Sequence, residues 1–182
     1  MVEEWIRMFL TQPDNLKRLR RLCAEGKTSF VVDYESLVEH RLQMAQDLIL
    51  HPEEFLKEAD KVLVDITKIP GMHLRVRELN LTVVKIKASH VGKFVQIEGQ
   101  VNHAYKPKLV VKEPVDDPLH PEFDDYQELE VEGTIVRLYG DLIDANIEKL
   151  DPVVITGTVR AEKLPLGSLF TPILVANHIE KK

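Results

Sequence analysis

The spacing of hydrophobic positions changes once along this chain, near residue 70, and the change divides it in two. Before that point the period is helical. Trp5, Met8 and Phe9 share one face, and Leu16, Leu19, Leu22 and Cys23 repeat the spacing on the basic stretch NLKRLRRLC. Asp14 is the expected N-cap of this second helix and Gly26 its C-cap. KTSFVVDY predicts a short strand. YESLVEHRLQMAQDLILH then sets Leu37, Leu42, Ala45, Leu48 and Ile49 on one broad helical face. Pro52 suits the first turn of a further helix, PEEFLKEADKVLVDI, with Phe55, Leu56, Ala59, Val62, Leu63 and Ile66 inward. The pattern predicts a small helical bundle over residues 1–70, closed by the turn signal Ile69-Pro70-Gly71.

From Met72 the period becomes two. HLRVREL, KFVQIEGQV, KLVV, ELEVEGTIVRLY, PVVITGTVR and TPILVANHIE alternate apolar and polar positions between Pro, Gly and Asp punctuation. Short strands in this number predict a small barrel over residues 71–182. Two of them share a shape, apolar-x-apolar-x-Gly-x-Val, which makes Gly99 and Gly157 the expected bends of long strands. The fold class is therefore α+β, a helical bundle followed by a five-stranded barrel.

Composition narrows the function. Hydrophobic residues make up 44% and charged residues 30% of the 182 positions, enough for a packed core. No apolar run reaches the roughly 18 residues of a membrane span, and MVEEWIRMFL carries acids where a signal peptide carries bases. An intracellular, cytoplasmic protein without a membrane partner is expected. Cys23 is the only cysteine and the histidines are scattered, so neither an internal disulfide nor a structural metal site is expected. No catalytic spacing of acids, histidines or nucleophiles stands out. The pair Ser89-His90 falls on opposite sides of a strand.

The net charge of −6 conceals a division that matters more. Residues 81–112 hold six lysines against the single acid Glu98, whereas residues 113–151 hold thirteen acids against Arg137 and Lys149. A long-range field drawing in DNA is not expected from this balance. Contact with nucleic acid would have to be local. Lysine clusters are most often solvated faces, and that reading stands beside the functional one for Lys106, Lys108 and Lys112. The same holds for Lys17, Arg18, Arg20 and Arg21 on the second helix.

Several segments, in order, resemble the N-terminal domain of archaeal MCM (minichromosome maintenance) replicative helicases. SHVGKFVQIEGQVNHAYKPKL (Ser89 to Leu109) is similar to the opening of that family's OB-fold and its basic-Pro element. FDDYQELEVEG (Phe123 to Gly133) resembles the next strand, and GDLIDANIEKLDPVVITGTVRA (Gly140 to Ala161) the Asp-Leu-x-Asp and Thr-Gly segment. GKTSFVVDYESLVEHRLQMAQDLILHPEEFL resembles its helical subdomain A. The resemblance implies an OB-fold and a DNA-binding module that assembles into a ring in the full-length helicase. It places Lys106 and Lys108 on the DNA side; Lys112 extends that patch, and Tyr105 beside it is able to stack a base. It matches Arg160, Lys163 and the tip KLPLGSLF to a β-hairpin that points into the ring's channel. Binding would be weak and non-specific, to single- or double-stranded DNA.

The departures are specific. The family inserts a zinc-binding subdomain between its second and third barrel strands, but the interval here is VKEPVDDPLHPE, without cysteine; a short linker near 112–122 is expected instead. No G-x-x-x-x-G-K-[ST] occurs, so ATP and Mg²⁺ would belong to a motor domain that this sequence does not contain, and no cofactor is expected in the chain itself. A scaffold that keeps the fold for assembly but binds DNA poorly is the alternative. An unrelated OB-fold adaptor fits less well, given the helical N-terminus.

Overall fold

The computed structural model describes residues 1–111, 119, 122–163 and 167–182. Five helices come first: α1 (Val2–Leu10), α2 (Pro13–Ala24), α3 (Tyr34–His40), α4 (Leu42–Leu50) and α5 (Pro52–Thr67). Ile6, Phe9 and Leu10 of α1, Leu19 of α2, Leu37 of α3, Leu48 of α4 and Phe55, Val62 and Leu63 of α5 form one core. Trp5 is only partly buried, with the Arg41 guanidinium 4.3 Å from its ring centroid, and Met8 is exposed.

Local signals explain most helix ends. Pro13 and Pro52 occupy the first turns of α2 and α5, where a missing N–H costs nothing. Gln12, not Asp14, holds the N-cap position of α2, and Glu25 its C-cap, with Gly26 following at φ +69°. Lys68 ends α5 in the left-handed region, one residue before the Ile69-Pro70-Gly71 turn. The long periodic run from Tyr34 does not stay one helix. Arg41 adopts extended backbone between α3 and α4, and the rotation it introduces leaves Leu42 exposed while Met44, Ala45 and Leu48 turn inward.

The strand HLRVREL is not part of the barrel. β2 (His73–Arg77) pairs in parallel with β1 (Ser29–Asp33), α3 to α5 making the crossover between them. Met72, Leu74, Val76 and Leu79 accordingly belong to the helical core. Alternation gives the strand but not its partner.

The barrel consists of β3 (Phe94–Ala104), β5 (Phe123–Val131), β6 (Thr134–Tyr139), β7 (Pro152–Lys163) and β8 (Phe170–Lys181). Pairing runs β3-β7-β8-β6-β5 and returns to β3, so the five strands close; β6 and β8 are parallel and the rest antiparallel. β4 (Lys108–Val111) adds a sixth strand, pairing with the start of β5. The linker interval 112–122 follows β4 and precedes β5, and all of it but 119 and 122 lies outside the described residues. Inside the barrel are Val95, Ile97, Val101, Leu129, Val136, Leu138, Ile155 and Leu174, with Leu142 and Ile147 from the connection between β6 and β7. This is the strand order of an OB-fold.

Both predicted bends fall at barrel corners, for different reasons. Gly99 sits where β3 leaves β7 (last pair Gln100 with Pro152) and joins β5 (first pair Val101 with Val131). Gly157 faces a bulge. Thr156 pairs with His178 and Gly157 with Ala176, which leaves Asn177 as the extra residue, and a Cβ at 157 would collide with the Val175 carbonyl.

That bulge turns Asn177 onto the helical lobe. Its carbonyl oxygen accepts from the Val76 N–H at 2.7 Å and its amide donates to the Leu74 carbonyl at 2.9 Å. The Thr156 hydroxyl donates to the Val76 carbonyl, and the Gln96 carbonyl oxygen accepts from the Leu79 N–H at 3.0 Å. The edge of β2 is thus satisfied by side chains of the barrel. The outer face of β3, β7 and β8 is the seam between the lobes, and Phe94 reaches from it into the helical core.

Candidate nucleic-acid interface

With one outer face of the barrel covered, β5 and β6 present the other. In an OB-fold the second and third strands, flanked by the connections between strands one and two and between four and five, form the ligand face. Those strands are β5 and β6 here. The first connection contains Tyr105, Lys106 and Lys108; the second follows Lys163 at the end of β7. Lys112 and residues 164–166 of the tip lie outside the described residues.

Lys106 is exposed and has no ion pair among the described residues. Tyr105 is 48% exposed, its ring 4.6 Å from that of His103, and its backbone is pinned on both sides. The Tyr105 N–H donates to the Glu128 carbonyl at 3.0 Å, and the Gln127 amide donates to the Tyr105 carbonyl at 3.0 Å. The basic-Pro element is therefore held in register against β5 rather than hanging free.

Lys108 pairs with Tyr126 across the strands, its ammonium 5.1 Å from the Tyr126 ring centroid. Arg137 approaches the same ring at 5.8 Å, and Tyr139 packs against it at 5.3 Å. Two cations and two tyrosines so form one cluster on the β4-β5-β6 surface. Carboxylates are built into it. The Tyr126 hydroxyl donates to Glu128 at 2.6 Å, Arg137 lies 3.4 Å from the same carboxylate, and Arg137 also pairs with Glu162. Burial, with the bond to Glu128, pushes the Tyr126 hydroxyl well above its ordinary pKa. Burial works to lower that of Arg137, but Glu162, Tyr126 and Glu128 outweigh it and raise it. Both groups keep their protons across the whole physiological range.

Arg160 belongs elsewhere. It pairs with Ile173 in the β7-β8 hairpin and its guanidinium bonds Glu53, in the first turn of α5, at 2.6 Å. It therefore bridges the lobes. Lys163, three residues on, pairs with Phe170 and is exposed beside the exposed Leu169 and Phe170.

The model of the MCM N-terminal domain matches residues 3–96. The chain belongs to this family. The MCM N-terminal fold extends past that match: a solved structure titled as the N-terminal domain of an archaeal MCM, at 1.8 Å, superposes with a TM-score of 0.83 at 15% identity, covering 100% of this chain and 98% of the other. No curated protein sequence matches.

Within the MCM N-terminal fold, sequence reasoning missed Arg137, Tyr126 and Tyr139 as a cluster. The available signal was positional. Tyr126 and Glu128 alternate with the inward Leu129 and Val131, so they face outward, as do Arg137 and Tyr139 on β6. No group of three or more potential metal ligands occurs among the described residues. No helix among them is long and apolar enough to cross a membrane.

Proposed function

We propose that this chain is the DNA-binding and assembly module of an MCM-type replication helicase, acting inside the cell at the nucleoid. It holds DNA without base preference across the β5-β6 face. Lys106 and Lys108 neutralise phosphates at one end of that face and Lys163 at the other, while Tyr105 offers a ring to a base. ATP and Mg²⁺ serve a motor outside these residues, and the ring forms in the company of that motor. The observation that carries this reading is the coincidence of the basic-Pro element with the first OB-fold ligand connection, held in register by Gln127 and the Glu128 carbonyl.

Asp124, Asp125 and Glu128 lie on the same strand, so few phosphates can be neutralised, binding is weak, and its log–log salt slope is shallow. The test is anisotropy of a fluorescein-labelled oligothymidine at low salt. Replacing Lys106 and Lys108 together by alanine should weaken binding and lower the log–log salt slope by about 1.4, at about 0.7 per phosphate. Replacing Lys181 and Lys182, already paired with Asp151 and Glu98, should change little. The scaffold reading has its own support, since Arg160 and Arg137 are both engaged by carboxylates. Equal binding by parent and both double variants, or none by the parent, decides for the scaffold.

A further inference from the structure

Away from the β5-β6 face, a cleft of about 340 Å³ opens where the segment between β2 and β3 crosses from one lobe to the other. Its walls are mostly aliphatic: Ile49 from α4, Leu79 and Val83 from the crossing segment and Val95 from the start of β3, together with the rings of Tyr34 and Phe94. At its mouth Leu81 is 77% exposed, and Val84, further along the same segment, is 94% exposed. An aliphatic cleft with solvent-facing leucine and valine beside it costs solubility unless something covers it.

The rim is basic. Lys93 and His90 line the cleft, and no acid does. Lys85, Lys87 and Lys93 are exposed and have no ion pair among the described residues, unlike Lys61, Lys68, Lys181 and Lys182, which all have carboxylate partners. The Lys87 N–H donates to His90 Nδ1 at 3.0 Å, so the ring's proton sits on Nε2 and is available to an acceptor.

We infer that this cleft docks an acidic peptide segment of a protein partner, one that inserts a leucine- or phenylalanine-sized side chain and sets its carboxylates on Lys93 and His90. The volume is at the small end of ligand-site size and fits an anchor side chain. Charge complementarity names the sign of the partner, and the aliphatic walls name its class. A nucleic acid would bring the same negative charge, but its bases need aromatic faces on which to stack. Of the Phe and Tyr rings in its lining, Phe94 is 2% exposed and packed in the helical core, and Tyr34 is half-buried against that core with its hydroxyl donating to the Ala45 carbonyl at 3.4 Å. The inference is independent of DNA binding at the β5-β6 face.

The probe is the fluorescein-labelled peptide DEELFEDE, with DEESSEDE and KKKLFKKK as controls, titrated with the intact chain at low salt. Only DEELFEDE should bind measurably. Lys93→Glu and Leu81→Ser, both at exposed positions, should each weaken it about fivefold or more, with far-ultraviolet circular dichroism unchanged and oligothymidine binding unaffected by Leu81→Ser. Equal binding of DEESSEDE, or indifference to both substitutions, overturns the inference. So does displacement of the peptide by oligothymidine, which would make the cleft a nucleic-acid site. Concentration-dependent dimers in light scattering that Leu81→Ser abolishes would put a second copy of this chain there, and also overturn it.

Discussion

On the outer face of β3, β7 and β8, Gln96, Thr156 and Asn177 each meet a fixed backbone partner in the helical lobe. On the outer face of β4, β5 and β6, Lys108 is exposed over the Tyr126 ring on the side of β5 that carries Asp124 and Glu128, and Lys106 is exposed just before β4. The same barrel thus spends polar groups in two ways. At the seam they complete the edge of β2, and each is costly to remove because its partner is buried. On the open face their removal should cost the fold little. The comparison separates positions where substitution should read out in stability from those where it should read out in binding.

The largest effect is expected at Asn177. Replacing it by leucine strands the Val76 N–H and the Leu74 carbonyl, both inside the seam, and should lower stability by about 3 kcal/mol, since a buried unsatisfied group costs roughly 1–3 kcal/mol. Urea unfolding would show this as a fall in midpoint. A change well under about 1 kcal/mol would mean that the seam is wetter than its geometry states.

Gly157→Ala attacks the same contact from the other side of the bulge. Its Cβ meets the Val175 carbonyl, which is backbone and cannot swing away, so the strands must part and Asn177 loses its aim. A loss of about 2 kcal/mol is expected. Gly99→Ala should be milder, because its Cβ meets the side chains of Glu132 and Val131 rather than backbone.

The pattern around these glycines was legible in the sequence because a bend in a strand is a local demand that only small residues meet. The helical bundle, the strand positions and the OB-fold were legible for the same reason, through periodicity and a matching order of segments. Partnership was not. Nothing in HLRVREL distinguishes a strand that pairs with Phe30 and Val32 from one that joins the barrel, because pairing is decided by packing between distant segments. The candidate site divides likewise. Tyr105, Lys106 and Lys108 could be found from one stretch of chain, but the Tyr126–Arg137–Tyr139 cluster comes together only when β5 and β6 pair. A basic residue in sequence carries no sign of its partner, which is why Arg160 and Lys106 look alike there and differ in the fold.

A pH titration tests the seam more gently. His178 lies 16% exposed on β8, its Nε2 3.6 Å from the Glu180 carboxylate, with Arg75 and Arg77 nearby. Burial holds its pKa below the ordinary value, Glu180 offsetting only part of that. A depressed value means that the unfolded chain binds the proton first. The neutral ring's contribution is fully present above about pH 6.5 and is lost as pH falls through that value and on through the folded one. Stability should decline between pH 7.5 and 5.5 with a slope of at most about 1.4 kcal/mol per pH unit from this group, and His178→Gln should flatten it. Asp141 acts lower. Burial raises its carboxyl, but Arg75 at 2.5 Å and Ser29 outweigh this and depress it, so its contribution disappears only as pH falls below the usual carboxylate range.

The smallest effect concerns Arg160, the residue that decides where the two faces divide. Its sequence position suggests a hairpin cation aimed at DNA, but its guanidinium is spent on Glu53 at 2.6 Å, with both side chains about half exposed (51% and 56%). An ion pair as wet as this contributes between nothing and about 1 kcal/mol. Arg160→Ala and Glu53→Gln should each cost about 0.5 kcal/mol, the double variant should cost no more than either, and the cycle should return a coupling of that size. Oligothymidine binding should change less than twofold in Arg160→Ala, against a clear loss in the Lys106 and Lys108 double alanine variant. If Arg160→Ala weakens DNA as much as that pair does while leaving stability untouched, the bond to Glu53 yields to phosphate. DNA would then run over the seam, and the division between a structural face and a binding face would have to be redrawn with β7 on the binding side.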